Sequence, residues 1–145
     1  MPRNVYTEIN LHLVWHTKES RFLIKPEMRE TVYDVIRRRA CSEAGVFVHE
    51  IGGTMNHIHM AVTIPPTLLI SEWIGKVKGG SSHDLNDMPI FGGLFEWQTG
   101  YGVVSFGAKD LPWVVAYVRK QIRHHQENTW EDRLERILAP EGQHG

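Results

Sequence analysis

Asn56-His57-Ile58-His59-Met60-Ala61-Val62-Thr63-Ile64, closed by Pro65-Pro66, is the stretch on which the reading of the fold turns. Its period is two. Ile58, Met60, Val62 and Ile64 fall on one face of a strand, and His57, His59 and Ala61 fall on the other. The prolines end the strand at Ile64. The apolar side needs a cover of helices. The imidazole side needs a chemical reason for two histidines.

Working outward, Val5 to Thr17 follows the same rule. Ile9, Leu11, Leu13 and Trp15 alternate with Asn10, His12, Val14 and His16, which predicts a long first strand. If the two strands are neighbours, His12 joins His57 and His59 on one face. Between them, Pro26 opens a helix expected to run to about Ala44, with Gly45 closing it. Val46 to Ile51 reads as a strand ended by Gly52-Gly53. Downstream, Ser71 is read as the cap of a helix through Trp73, Ile74 and Val77, ending at Gly79-Gly80 or continuing to Leu85. Asn86 to Gly100 reads as loop and Gly102 to Phe106 as a fourth strand. Asp110, with Pro112 behind it, caps a long helix to about Asn128, and Trp130 to Leu138 reads as one more short helix.

The order strand, helix, strand, strand, helix, strand is the split ferredoxin-like, RRM-like arrangement of the α+β class. It predicts an antiparallel sheet with two helices on one face. The next helix is then free to cover the other face. On that helix Tyr117 and Gln121 lie one turn apart, and His124 and Asn128 continue the stripe. Brought together, the two faces supply three neutral metal ligands (His57, His59 and Gln121) and one phenolic nucleophile, Tyr117. That set suits cutting and rejoining a phosphodiester through a covalent tyrosine. Taken singly each motif has a plainer reading: two hydrogen-bonded histidines, and an interface tyrosine beside a solvated amide. The conjunction on facing surfaces carries the functional one.

Composition sets the frame. The 145 residues have a formal net charge of −1, 41% hydrophobic residues and a single cysteine, Cys41. One domain spanning 1–145 is expected, with residues 139–145 fraying. A lone cysteine forms no internal disulfide and fits a reducing cytoplasm; it is expected to be buried in a helix. Trp113 and Trp130 are expected as core anchors. Neither a signal region nor an apolar run of membrane-spanning length is present, so no membrane partner is expected. Basic residues cluster at 37–39, at Lys76 and Lys78, and at Arg119-Lys120 with Arg123, beside an acidic end. Local patches of this kind suit nucleic acid, or are simply solvated helix faces.

Several of these segments resemble one family, in order and at similar spacing: Leu11-His12-Leu13-Val14-Trp15 with Thr17-Lys18, Asn56 to Met60 with Pro65-Pro66, Lys78-Gly79-Gly80-Ser81-Ser82, Trp97 to Gly102, and Tyr117-Val118-Arg119-Lys120-Gln121 with His124-His125. The chain looks like the small single-tyrosine (Y1) HUH transposases of insertion sequences that move as single-stranded DNA. The resemblance implies that His57 and His59 are ligands of a divalent ion, Mg²⁺ or Mn²⁺, that Gln121 is the third ligand, and that Tyr117 forms a 5′-phosphotyrosine. It implies subterminal DNA hairpins as partners, a homodimer with active sites shared between subunits in many members, and a cytoplasmic, nucleoid-associated enzyme. Asn56 stands where many relatives carry an acidic residue.

Further assignments follow from residue type. Lys76, Lys78, Arg119 and Lys120 are candidates for phosphate contacts, with Ser81 and Ser82 beside them. Trp97 and Tyr101 are candidates for stacking on unpaired bases, or for packing. His12, Asn56 and His124 are candidates to support the metal ligands from behind. Two other readings compete with transposition: a domesticated relative that processes chromosomal repeats, and a non-catalytic nucleic-acid-binding module. A structural zinc site is disfavoured because no cysteine lies near His57.

Overall fold

A computed structural model describes residues 4–127 and 129–137. Four strands, β1 (Ile9–His16), β2 (Phe47–Gly53), β3 (His57–Ile64) and β4 (Gly102–Phe106), form one antiparallel sheet in the order β2-β3-β1-β4. This is the ferredoxin-like order expected. β1 and β3 are the central pair, with Leu13 opposite Met60 and His16 opposite His57.

The alternation read from β1 and β3 sorts the two faces. Leu11, Leu13, Trp15, Ile58, Met60, Val62 and Ile64 enter the main core with α1 (Arg29–Cys41) and α2 (Ile70–Asn86). The opposite face carries a small second cluster of Ala61, Val114 and Val118, with Phe106 against it. There α3 (Leu111–Arg119) covers the sheet. Two short helices follow, α4 (Gln121–Glu127) and α5 (Asp132–Glu135).

Several boundaries differ from expectation. β1 begins at Ile9 rather than Val5, and Thr17 only bridges to Trp97. α1 stops at Cys41, three residues short of Ala44, and Gly45 takes a left-handed φ of 85° in the turn beyond. Cys41 is exposed, not buried. The cap of α2 is Leu69 rather than Ser71, which lies within the first turn. α2 then runs unbroken through Gly79-Gly80, because Trp73, Ile74, Val77, Ser81 and Leu85 form one buried stripe whose packing outweighs glycine's low propensity. Gly80 also makes room for Arg39, which grips Asp84 at 2.6 and 2.7 Å.

β2 does not end at Gly52-Gly53 but includes both, paired with His59 and Ile58. A Cβ on Gly52 would lie 1.9 Å from the backbone oxygen of Val118, so only glycine admits α3 this close to the sheet. Gly52→Ala is therefore expected to lift α3 off its seat and destabilise the fold by about 2 kcal/mol or more. A thermal melt checks this, and an unchanged melting point would show that α3 is not held by the close approach.

The single long helix expected from Asp110 is broken. Lys120 leaves helical geometry at φ −102°, ψ 29°, separating α3 from α4. The Gln121 side chain supplies the reason: its Nε2 donates to the backbone oxygen of Tyr117 at 3.0 Å, at the carbonyl a continuous helix would use. Asp110 occupies the cap position without a side-chain cap bond. The final helix is four residues long, not Trp130–Leu138. Asn128, Leu138 and the tail at 139–145 lie outside the described residues. Trp113 and Trp130 are 51% and 43% exposed and do not anchor the core.

Candidate active site

The site forms on the α3 face of the sheet, where β3 presents His57 and His59 side by side. His59 is fully buried, and Tyr117 and Gln121 are 2% and 1% exposed. The two imidazole centroids are 5.1 Å apart, and the Tyr117 ring lies edge-on to His59 at 5.9 Å.

Each histidine is held from behind. Nδ1 of His57 lies 2.8 Å from both Asn56 Oδ1 and Thr54 Oγ1. Nδ1 of His59 lies 2.8 Å from Nε2 of His12. Both Nε2 atoms are thereby turned to the same space. Nε2 of His57 is 3.2 Å from Nε2 of His125, and Nε2 of His59 is 3.1 Å from Oε1 of Glu135. His57, His59, His125 and Glu135 each offer one ligand atom, and all four atoms lie within 4.8 Å of one another.

The same Glu135 carboxylate reaches the nucleophile. The Tyr117 hydroxyl donates to its Oε2 and accepts from the Glu131 backbone N–H at 2.8 Å. His124 stacks on the Tyr117 ring at 4.7 Å, and Trp113 stacks on it at 5.6 Å.

Burial dominates the electrostatics. Removal from water holds His57 and His12 down at about 3, each reinforced by the neighbouring His59, and lowers His59 well below the ordinary value. Neutral imidazoles with free lone pairs are what a metal requires. Burial and the Glu135 hydrogen bond raise the Tyr117 phenol, so it rests protonated.

The donor set fits a divalent cation. Gln121 Oε1 is buried with no hydrogen-bond partner among the described residues, which is costly unless something positive occupies the space. A dense group of neutral imidazoles around one carboxylate is likewise incomplete without a cation. Of the described residues, His57, His59, His125 and Glu135 bring ligand atoms close enough together to share one cation.

A stability consequence follows. The unfolded chain protonates its histidines near 6.5, whereas folded His12 and His57 resist until about 3. Between these values the unfolded state binds more protons. The stabilisation is complete above pH 6.5 and is lost as pH falls towards 3, at about 2 kcal/mol per histidine by pH 5. Denaturant midpoints of metal-free protein in EDTA should be level near pH 7–8 and fall steadily below 6.5. A level profile down to pH 4 would mean the histidines are not held neutral.

The other sequence candidates separate by face. Lys76, Lys78, Ser81 and Ser82 lie on α2, across the sheet from Tyr117. Trp97 is buried in the main core, where its Nε1 donates to Ser81 Oγ at 2.9 Å, and Ser81 Oγ donates to the Lys78 carbonyl at 3.1 Å. Lys78 donates to the carbonyls of Gln98 and Gly100, both at 2.7 Å, which clamps the loop before β4. Ser82 donates to the Gly79 carbonyl. Tyr101 packs half-buried against the main core, and Lys76 is exposed. Four of these side chains (Lys78, Ser81, Ser82 and Trp97) are therefore engaged by the protein itself. Arg119 and Lys120 lie exposed at the junction of α3 and α4, next to the site. Sequence reading missed Glu135 and left His125 undecided. Glu135 gave no signal, since an acid near the chain end has no periodicity tying it to a tyrosine 18 residues earlier.

A small antiparallel sheet presents a histidine pair to a tyrosine helix, and comparison with known proteins makes the chain a DNA-processing enzyme of the transposase type. The model of the IS200-like transposases matches residues 5–121, so the chain belongs to that family of single-tyrosine transposases. It is 31% identical over 118 residues to the transposases for insertion sequence element IS200 of Salmonella typhimurium and Salmonella typhi, covering 77% of this chain and 75% of each relative. A Deinococcus radiodurans R1 protein described as a transposase shares the fold, with a TM-score of 0.62 and 18% identity over 89% of this chain and 96% of that one. A REP-associated tyrosine transposase, solved bound to a REP hairpin, gives a TM-score of 0.61 and 14% identity over 90% of this chain and 75% of that one. Among the described residues no helix is long and apolar enough to cross a membrane.

Proposed function

We propose that this chain cuts and rejoins single-stranded DNA at the hairpin ends of an insertion sequence, through a 5′-phosphotyrosine on Tyr117. One observation carries the reading: the buried Tyr117 hydroxyl and the cluster that contains His57 and His59 share a single carboxylate, Glu135.

A divalent ion held by His57, His59 and Gln121, with Mg²⁺ or Mn²⁺ the expected choices, would neutralise charge developing on the scissile phosphate. The remaining steps belong to the chain. Tyr117 Oη attacks phosphorus and passes its proton to Glu135, to which it already donates. The new Oη–P bond forms as the P–O3′ bond breaks, and the departing 3′ oxygen takes up a proton from solvent. The reverse attack by a 3′ hydroxyl restores a phosphodiester and returns a proton to the tyrosine. One ester replaces another, so no external energy source is consumed. Asn56 and His12 keep the two histidine rings aimed, and His124 steadies the phenol by stacking. Arg119 and Lys120, exposed at the α3–α4 junction, are candidates for phosphate contacts. A homodimer with shared sites fits the family; within one chain, the Tyr117 ring already lies 5.9 Å from that of His59.

The test is a denaturing gel with labelled single-stranded DNA from the element's own flanks. A protein–DNA adduct should appear with Mg²⁺ or Mn²⁺ and be absent in EDTA. Binding to that DNA without an adduct under any of these metals would favour the non-catalytic module.

A further inference from the structure

On the flank of the sheet formed by its edge strand β2, a cleft of about 530 Å³ opens between α1, β2 and the α3–α4 junction. Five cations line it: Arg29, Arg37, Arg119, Lys120 and Arg123. Only two carboxylates, Glu30 and Glu50, face them. A chain of net charge −1 thus concentrates an excess of three positive charges in one concavity.

The cations are available. Arg29 Nε is buried with no hydrogen-bond partner among the described residues, which leaves a desolvated donor beside the cavity. Arg119 meets Glu50 at 2.8 Å, Arg123 meets Glu127 at 3.0 Å and Arg37 meets Asp34 at 3.7 Å. These pairs involve solvent-exposed arginines, are worth little, and can be exchanged for phosphate contacts. Tyr33 adds an aromatic wall, and burial pushes its phenol up to about 12, so it stays neutral. The cleft also adjoins the site directly. Lys120 precedes Gln121 in the chain, and Gly52 of the cleft floor pairs with His59.

We infer that this cleft binds the sugar–phosphate backbone of unpaired DNA next to the scissile phosphate. Arg29 and Arg37 on α1 face Lys120 and Arg123 across it. The volume suits a nucleotide-sized ligand rather than a duplex. Backbone neutralisation by several arginines, with one aromatic wall and no set of base-reading groups, describes a sequence-tolerant track. The inference rests on single-stranded DNA being the substrate.

The experiment is fluorescence anisotropy with labelled oligothymidine, which forms no hairpin, in EDTA so that nothing is cleaved. Two double variants are compared with wild type: R29Q/R37Q, and R123Q/K120Q; Arg37, Lys120 and Arg123 are exposed and Arg29 is half-buried, so neither change removes a core side chain. Each lost phosphate contact should weaken binding about fivefold at 0.1 M salt and lower the salt slope by about 0.7. Both double variants binding with wild-type affinity and slope would overturn the inference, as would a wild type that binds only hairpin DNA. The adduct assay separates this from the catalytic reading. Loss of oligothymidine binding in the variants, with no adduct from wild type in any metal, would keep the cleft and overturn the phosphotyrosine.

Discussion

Tyr117→Phe is expected to abolish the covalent DNA adduct, a loss of at least about 10³-fold in cleavage, while DNA binding in EDTA stays at the wild-type level. The substitution removes one oxygen. The ring keeps its stacking on His124 and Trp113 and its place between α3 and the sheet, so the fold should survive. What disappears is the hydroxyl that donates to Glu135 and accepts from the Glu131 backbone. Glu135 then retains its contact with His59, so metal binding measured by thermal shift should change little. An adduct that persists in the variant would place the nucleophile elsewhere, and Tyr6, Tyr33 and Tyr101 would be the next residues to replace.

Gln121→Leu is expected to separate metal binding from stability in opposite directions. The wild-type side chain buries a carbonyl oxygen without a partner, at a cost of about 1–3 kcal/mol in metal-free protein. Leucine removes that cost but also forfeits the bond from Nε2 to the Tyr117 carbonyl. The two largely offset, so metal-free protein should be as stable as wild type, or more stable by about 1 kcal/mol. Divalent-ion affinity should fall by about 10–100-fold or more, because a ligand is lost. Calorimetric titration with Mn²⁺ beside a melt in EDTA reads both quantities. A variant that binds Mn²⁺ as tightly as wild type would show that the orphaned oxygen is not a ligand.

The parts legible in the sequence are those governed by period. The twofold alternation of β1 and β3 puts His12, His57 and His59 on one face, and the one-turn spacing of Tyr117 and Gln121 turns both toward it. The parts that were not legible depend on competition between groups. The helix break at Lys120 comes from a side-chain amide taking a backbone carbonyl, which periodicity does not register. The run of α2 through two glycines comes from a buried stripe that only the assembled sheet rewards. Ser81 and Trp97 are candidates for DNA contact by residue type alone, and their engagement with each other in the main core comes from a tertiary contact that no local pattern registers. Glu135 is part of the site through tertiary contact alone.

The two faces of β3 give insertions a different meaning from substitutions. Replacing Ile58 or Met60 disturbs packing, and replacing His57 or His59 disturbs chemistry, each without touching the other. One extra residue between Met60 and Ala61 leaves every side chain of the strand present, but with pairing held at Ile64 it turns Ile58 and Met60 to the site face and His57 and His59 to the core face. Copying errors that add or delete a single codon within the strand would therefore exchange site for core and core for site in one event. The strand tolerates change in composition far better than change in count.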